Sequence, residues 1–124
     1  IIRLPHLFGQ GLKKNIIYDY LNNNLNELNL NSSYQWYCID DLFKDINIIL
    51  NSVNIKTINL FSRPIQNSEL LTLFMKHNNN LMVREIATNQ INYDMFTKYS
   101  MNGYWNNKSI IINKMDKFIE TNKK

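Results

Sequence analysis

The sequence has one cysteine, two prolines and three glycines. Because Cys38 stands alone, the chain forms no internal disulfide and has no cysteine cluster that could hold a metal. The two histidines, His6 and His77, lie far apart and have no carboxylate at ligand spacing, so we expect no metal site. A chain with one cysteine and no possible internal disulfide is typical of a reducing, cytoplasmic compartment.

Long apolar runs and clusters of positive charge are also missing. No apolar run reaches the roughly 18 residues of a membrane span, and no signal peptide is recognisable, so we expect no membrane partner. The net charge is +4, but basic residues are scattered apart from Lys13-Lys14 and Lys123-Lys124. Nucleic-acid binding requires basic clusters interleaved with exposed aromatics. The aromatics here fall mostly within apolar patterns, so we expect no nucleic-acid partner.

The chain has 124 residues, 44% of them apolar, which suits one small domain or a piece of a larger one. Residues 1–11 predict a buried strand that runs into a sharp loop containing glycine. Because termini usually lie at the surface, a buried strand is an unusual start for a domain. We therefore expect the chain to be the C-terminal piece of a longer protein.

Helical and strand-like patterns then alternate, which predicts an α/β fold of short elements. The expected helices span Leu12–Leu25, a segment capped by Asp40 or Asp41, a segment opening at Asn67, and a last segment capped by Ser109. The expected strands are 34–39, 57–61 and 81–86, with a turn at 62–64 and irregular structure over 93–104. The second helix should bury Leu42, Phe43, Ile46, Ile49, Leu50 and Val53. Trp36 and Tyr37 are expected in the core.

Several segments resemble one family in the right order. Arg3–Gly9 resembles the segment after the catalytic helix in extended short-chain dehydrogenases, the NAD-dependent epimerase/dehydratase family. Residues 37–42 and 58–70 resemble its later strand-to-helix junctions. Three further segments are similar to its sugar-biosynthesis oxidoreductase branch: Tyr34-Gln35-Trp36-Tyr37, residues 93–97 and Gly103-Tyr104.

The resemblance implies the C-terminal part of a Rossmann-type NAD(P)-binding fold plus its small α/β substrate-binding subdomain. Residues 1–124 would form this substrate-side portion, and the N-terminal dinucleotide-binding half would be absent from this chain. The glycine-rich fingerprint and the catalytic Tyr-x-x-x-Lys are missing. Tyr104 and Lys108 match that spacing but lie downstream of the strand they should precede. We therefore expect no catalytic residue in this chain and no activity of the chain alone.

The resemblance also implies binding roles near the first strand. Leu4 or Pro5 would contact the amide of NAD or NADP through the backbone, or Pro5 would only shape a turn. His6, at the end of the strand, would contact substrate where the family often has asparagine, or would be a partly exposed turn residue. Arg3 would pair with an acidic residue of the missing half.

Three cations are candidates for holding substrate phosphates. Lys13 would do so from the first turn of its helix, where backbone N–H groups favour anions, or would be a solvated helix start. Arg84 and Lys98 would hold a diphosphate or be surface residues. Tyr93 and Asp94 would line the site or form a local turn.

Two functions from different classes remain open. The first is the substrate-binding portion of an NAD(P)-dependent sugar-nucleotide epimerase, dehydratase or reductase in surface-polysaccharide or sugar biosynthesis. It would take a sugar nucleotide, use NAD or NADP bound mainly by the missing half, and could form a homodimer. The second is a non-catalytic α/β binding or assembly module that retains only the scaffold.

Overall fold

The computed structural model describes residues 1–52, 56–88, 90–97 and 102–123. These ranges contain short strands alternating with helices, as the patterning predicts. The helices are α1 (Asn15–Leu21), α2 (Leu42–Leu50), α3 (Asn67–His77) and α4 (Lys108–Asn122), with a 3₁₀ turn at Ile39–Asp41 before α2. The strands are β1 (Ile2–Arg3), β2 (His6–Phe8), β3 (Glu27–Leu28), β4 (Ser33–Tyr34), β5 (Trp36–Cys38), β6 (Ile58–Asn59), β7 (Ile65–Gln66) and β8 (Arg84–Glu85).

The strands pair two by two, mostly in parallel. β1 pairs with β6, β2 with β5 and β3 with β8 in parallel, and β4 pairs with β7 antiparallel. In the β2–β5 pair, His6 lies opposite Trp36 and Phe8 opposite Cys38. This register places the first strands of the chain against the aromatic segment in its middle.

Two hydrophobic clusters hold these elements together. The larger core lies among α1, α3, α4, β2 and β5 and includes the fully buried Trp36, Phe74 and Met115. The smaller core consists of Tyr37, Ile58 and Leu60, with partly buried residues of β1, β2 and α2 packed around it. Trp36 and Tyr37 are both 0% exposed, which confirms their expected place in the core.

The first segment differs from the expected continuous buried strand. It forms two short strands, β1 and β2, separated at Leu4 and Pro5. Proline has no N–H to donate to a strand ladder, which accounts for the break. Ile1 is 81% exposed. His6 is therefore the first residue of β2 and does not lie at the end of one continuous strand.

Helix α1 begins at Asn15 and ends at Leu21, so the expected span Leu12–Leu25 is too long at both ends. Asn15 has a φ of 79°, and its Oδ1 accepts a hydrogen bond from the backbone N–H of Ile17 at 3.0 Å. Asparagine tolerates this left-handed conformation and offers its side chain to the following turn. Lys13 therefore lies in the loop before α1 and not in its first turn, which corrects the expectation from the sequence.

Helix α2 presents a different face from the one expected. Leu42 and Ile49 pack on the smaller core, but Phe43 is 80% and Leu50 75% exposed. The residue that α2 buries is Asp45. Asp41 occupies the N-cap position, as expected, but its side chain makes no capping hydrogen bond. Val53, assigned to the same face, lies outside the described residues.

Helices α3 and α4 begin close to where the sequence predicts. The start of α3 at Asn67 is confirmed, and a reciprocal capping box joins Gln66 and Glu69. The cap of α4 is Asn107, whose side chain accepts from the N–H of Ile110 at 2.9 Å. Ser109 therefore does not cap this helix. Among the described residues, no helix is both long and apolar enough to cross a membrane.

The remaining strands are shorter or newly found. The expected strand over 81–86 is limited to β8, and the expected strand over 57–61 to β6. The sequence did not indicate β3 or β7. Residues 93–97 and 102–104 contain no helix or strand, which confirms irregular structure for this described part of 93–104.

Candidate functional site

A groove lies between β2 and the loop that leads into α1. It has a volume of about 610 Å³. Its lining consists of His6, Leu7, Gly11, Leu12, Lys13, Lys14 and Asn15. The structure thus brings together two of the residues singled out in the sequence, His6 and Lys13.

Two residues shape the loop that forms this groove. Gly9 has a φ of 137°, and a Cβ there would lie 2.6 Å from Cγ2 of Ile39, so only glycine fits this turn. Asn15 closes the loop, since its Nδ2 donates a hydrogen bond to the carbonyl of Leu7 at 2.6 Å. The chain is thereby folded back on β2, with the two lysines at the rim.

His6 forms the wall of the groove and is packed against other rings. Its ring centroid lies 4.4 Å from that of Tyr34, 5.3 Å from that of Trp36 and 6.5 Å from that of Tyr93. Burial lowers the pKa of His6 below its ordinary value of 6.5, which favours the neutral imidazole. A neutral imidazole can donate one hydrogen bond and accept another.

The rim of the groove is positively charged. Lys13 and Lys14 are exposed. Within the described residues, neither lysine forms an ion pair. Leu7 and Leu12 contribute apolar surface to the lining of the groove. This combination suits an anionic ligand that also carries a polar ring, such as a sugar or nucleoside phosphate.

The other predicted contacts do not meet in this groove. Leu4 packs on the smaller core, and Pro5 lies between β1 and β2, next to His6. Arg84 forms an ion pair with Glu27 across the β3–β8 pair and does not line the groove. Lys98 lies outside the described residues. The proposed ligand roles of these four residues stay predictions.

The aromatic and acidic candidates further along the chain have local partners. The hydroxyl of Tyr104 donates to Asp94 at 2.6 Å, and Lys108 contacts Glu69 at 3.1 Å. Tyr104 and Lys108 are thus engaged with different partners. Tyr93, in contrast, has its ring beside His6 and 5.9 Å from that of Tyr34.

Sequence reasoning missed two polar residues that line the groove, Lys14 and Asn15, and Tyr34, whose ring packs behind His6. Lys14 could have been found, because it follows Lys13 directly. Asn15 acts through a positive φ and a contact with Leu7, which no spacing rule reveals. Tyr34 reaches His6 because β5, two residues further on, pairs with β2.

The arrangement of short parallel pairs and helices belongs to the Rossmann-type α/β class, as comparison with solved structures shows. The chain is similar to a dTDP-glucose 4,6-dehydratase from Bacillus anthracis str. Ames, crystallised in complex with NAD, with a TM-score of 0.67 and 15% sequence identity. The match covers 98% of this chain and 44% of the dehydratase chain, over the C-terminal part of that protein.

This likeness confirms the expected fold class. The chain spans less than half of the dehydratase's length, 44% of it. No protein-family model matches the chain, and no curated protein matches it. Assignment to the sugar-biosynthesis branch therefore stays a prediction from the sequence motifs.

Proposed function

We propose that this chain is the substrate-binding, C-terminal portion of an NAD(P)-dependent sugar-nucleotide epimerase, dehydratase or reductase. The observation that carries the proposal is the groove lined by His6, Lys13 and Lys14, in which neither lysine has an ion-pair partner among the described residues. The likeness to a sugar-nucleotide dehydratase supports it at the level of the fold. The dinucleotide-binding half of such a protein would lie outside these 124 residues.

In this proposal each groove residue has a distinct role. His6 orients a sugar hydroxyl or a phosphate oxygen by donating or accepting a hydrogen bond. Lys13 and Lys14 attract the diphosphate as point charges. Leu7 and Leu12 exclude water from the apolar face of the ligand.

The fit to NAD or NADP is limited within this chain. Leu4 packs on the smaller core, and Pro5, which precedes His6, offers only its carbonyl oxygen because it has no N–H. When bound, the cofactor would supply hydride transfer. The described residues would bind and orient the substrate beside it. We therefore expect no micromolar NAD binding by the 124-residue chain in calorimetry, and such binding would contradict the division of roles.

The proposal is tested with uridine diphosphate and dTDP-glucose as probes. Either compound should shift the NMR signals of the His6 ring in this chain. Replacing both Lys13 and Lys14 by alanine should weaken binding by about tenfold or more, because two charge-assisted contacts are removed. Lys117→Ala is the matched control, since Lys117 is exposed on α4 and outside the groove.

Two outcomes would contradict the proposed groove. If neither probe shifts the NMR signals of His6 at millimolar concentration, the groove does not bind this class of ligand. If Lys117→Ala weakens probe binding as much as the double lysine variant does, the net charge of the chain, and not the groove, attracts the probe. In a protein that also contains the dinucleotide half, His6→Ala should lower kcat/KM by roughly ten- to a hundredfold while leaving the fold intact.

A further inference from the structure

Gln35 joins three parts of the chain at the back of the groove. It is 1% exposed. Its Nε2 donates to the carbonyl of Ser62 at 3.0 Å and to that of Met95 at 2.7 Å, and its Oε1 accepts from the N–H of Met95 at 2.8 Å. Its backbone carbonyl accepts from the N–H of His6 at 3.2 Å. Every polar group of this side chain is therefore satisfied.

The paired bonds with Met95 continue a strand-like pairing that the backbone begins. The N–H of Ser33 donates to the carbonyl of Ile91 at 2.8 Å, and the N–H of Tyr93 donates to the carbonyl of Ser33 at 3.0 Å. At Met95 the side-chain amide of Gln35 makes the two hydrogen bonds that a paired backbone residue would otherwise make. Ser33 thus holds the backbone of Tyr93 directly, and Gln35 fixes the segment two residues further on, at Met95.

Fixing this segment places the ring of Tyr93 against the groove wall. The rings of His6, Tyr34 and Tyr93 lie within 4.4–6.5 Å of one another, centroid to centroid. Tyr93 is about half exposed, so its ring has a free face. A tyrosine ring beside a groove with a charged rim offers flat apolar surface for a sugar or a base.

We propose that Gln35 is a positioning residue of the groove: its buried amide holds residues 91–97 so that Tyr93 backs the His6–Tyr34 ring pair and contributes to ligand specificity. For its effect on ligand binding, this inference rests on the proposed function. The ring packing itself is independent of any ligand. The effect of Gln35 on this packing can therefore be measured without a ligand.

That measurement is the NMR pH titration of the His6 ring. In Gln35→Met, which has similar length but no hydrogen-bonding amide, Tyr93 should move away and water should reach His6. The pKa of His6 should then rise towards its ordinary value, because burial is what lowers it. Tyr93→Ala should produce the same direction of change. Lys13 and Lys14 are retained in both variants, so their charges are constant.

A combined variant separates positioning from a general loss of stability. If Gln35 acts through Tyr93, the double variant Gln35→Met/Tyr93→Ala should show the same His6 titration as Tyr93→Ala alone. Uridine diphosphate affinity should fall about two- to tenfold in each single variant, the size of one ring contact. Gln90→Leu is the control, because Gln90 is exposed and should change neither quantity. The signals of His77 serve as an internal reference.

Failure of this inference and failure of the proposed function give different experimental results. A His6 titration that is unchanged in folded Gln35→Met, or that shifts further in the combined variant, would overturn the inference. If Gln35→Met does not fold, Gln35→Asn replaces it, because the shorter amide cannot reach both Ser62 and Met95. If neither folds, an unchanged His6 titration in Tyr93→Ala overturns it. Absence of uridine diphosphate binding in the unmodified chain would reject the proposed function alone.

Discussion

The larger and the smaller core of this chain are enclosed to different degrees. The larger core is surrounded by α1, α3 and α4, and Phe74 in it is 0% exposed with its ring stacked on that of Tyr20 at 4.3 Å. The smaller core is covered by α2 on one side, but the outer face of α2 exposes Phe43 and Leu50. The difference shows that apolar residues at helical spacing do not by themselves say which face of a helix is buried.

The smaller core also depends more on polar contacts. Asp45 of α2 is buried and accepts hydrogen bonds from the hydroxyl of Tyr37 and, at 3.2 Å, from the indole N–H of Trp105. Burial, followed by the contact with Asp45, raises the pKa of Tyr37 well above its ordinary value. In the larger core the enclosed helices meet mainly through aliphatic and aromatic side chains. The two regions should therefore respond differently to substitution.

The largest effect is expected from Phe74→Ala in the larger core. Removing a fully buried ring should lower the free energy of unfolding by about 3–5 kcal/mol. Phe43→Ala, on the open face of α2, should change it by less than about 0.5 kcal/mol. Urea denaturation of both variants measures the contrast. Equal losses would mean that Phe43 is covered and that the two cores do not differ as described.

Asp45→Ala should have the next largest effect. It leaves the Tyr37 hydroxyl and the Trp105 indole without their acceptor in a buried place, at a cost of about 1–3 kcal/mol. Asp19→Ala, at an exposed position of α1, is the matched control and should lie within about 0.5 kcal/mol of the unmodified chain. A loss at Asp19 as large as that at Asp45 would show that the buried contacts are not the cause.

A smaller, pH-dependent effect is expected at Asp116. Hydrogen bonds from Lys76 at 2.9 Å and from His77 at 2.6 Å lower the pKa of this carboxyl below 3.8. A lowered folded-state pKa stabilises the fold above pH 3.8, and this stabilisation is lost as the pH falls through the folded-state value. Asp116→Asn should cost up to about 1 kcal/mol at pH 7, and the difference should shrink below pH 3.8. A difference that is constant down to pH 2 would contradict the assignment.

The smallest change in stability, but a visible change in association, is expected on the outer face of α2. Exposed apolar patches promote contact between molecules, and we expect the chain to self-associate. Phe43→Ser with Leu50→Ser should reduce this association in sedimentation velocity while leaving unfolding nearly unchanged. Ile110→Ser, at an exposed apolar position of α4, is the control. Unaltered sedimentation in the double variant would exclude this face as the contact.

The elements that sequence patterns predicted are those determined by local chemistry. Helix α3 opens where Gln66 and Glu69 form their capping box, which depends on residues three apart. The sequence predicts Trp36 and Tyr37 in the core because a dense aromatic run suits a buried strand. Such features need no knowledge of the rest of the chain.

The elements that patterns missed depend on distant or unusual contacts. β7 exists because Ile65 pairs with Tyr34, and β3 because Glu27 pairs with Arg84. The start of α1 is set by the positive φ of Asn15. For the groove, the sequence indicates His6, Lys13 and Tyr93 as candidates, but the contact between the rings of Tyr93 and His6 depends on the fold and is not encoded by any spacing rule.

The parallel pairing of β1 with β6, β2 with β5 and β3 with β8 also bears on how the chain acquires its structure. In each pair the partners are far apart in sequence, as Ile2 and Ile58 illustrate. No such pair can start as a hairpin, because the intervening chain must first be gathered at a loop-closure cost. We therefore expect the helices to form early and the ladders late, with refolding slower than in a helical bundle of similar size. Stopped-flow fluorescence of Trp36 and Trp105 would follow the late step, since both residues lie beside these ladders.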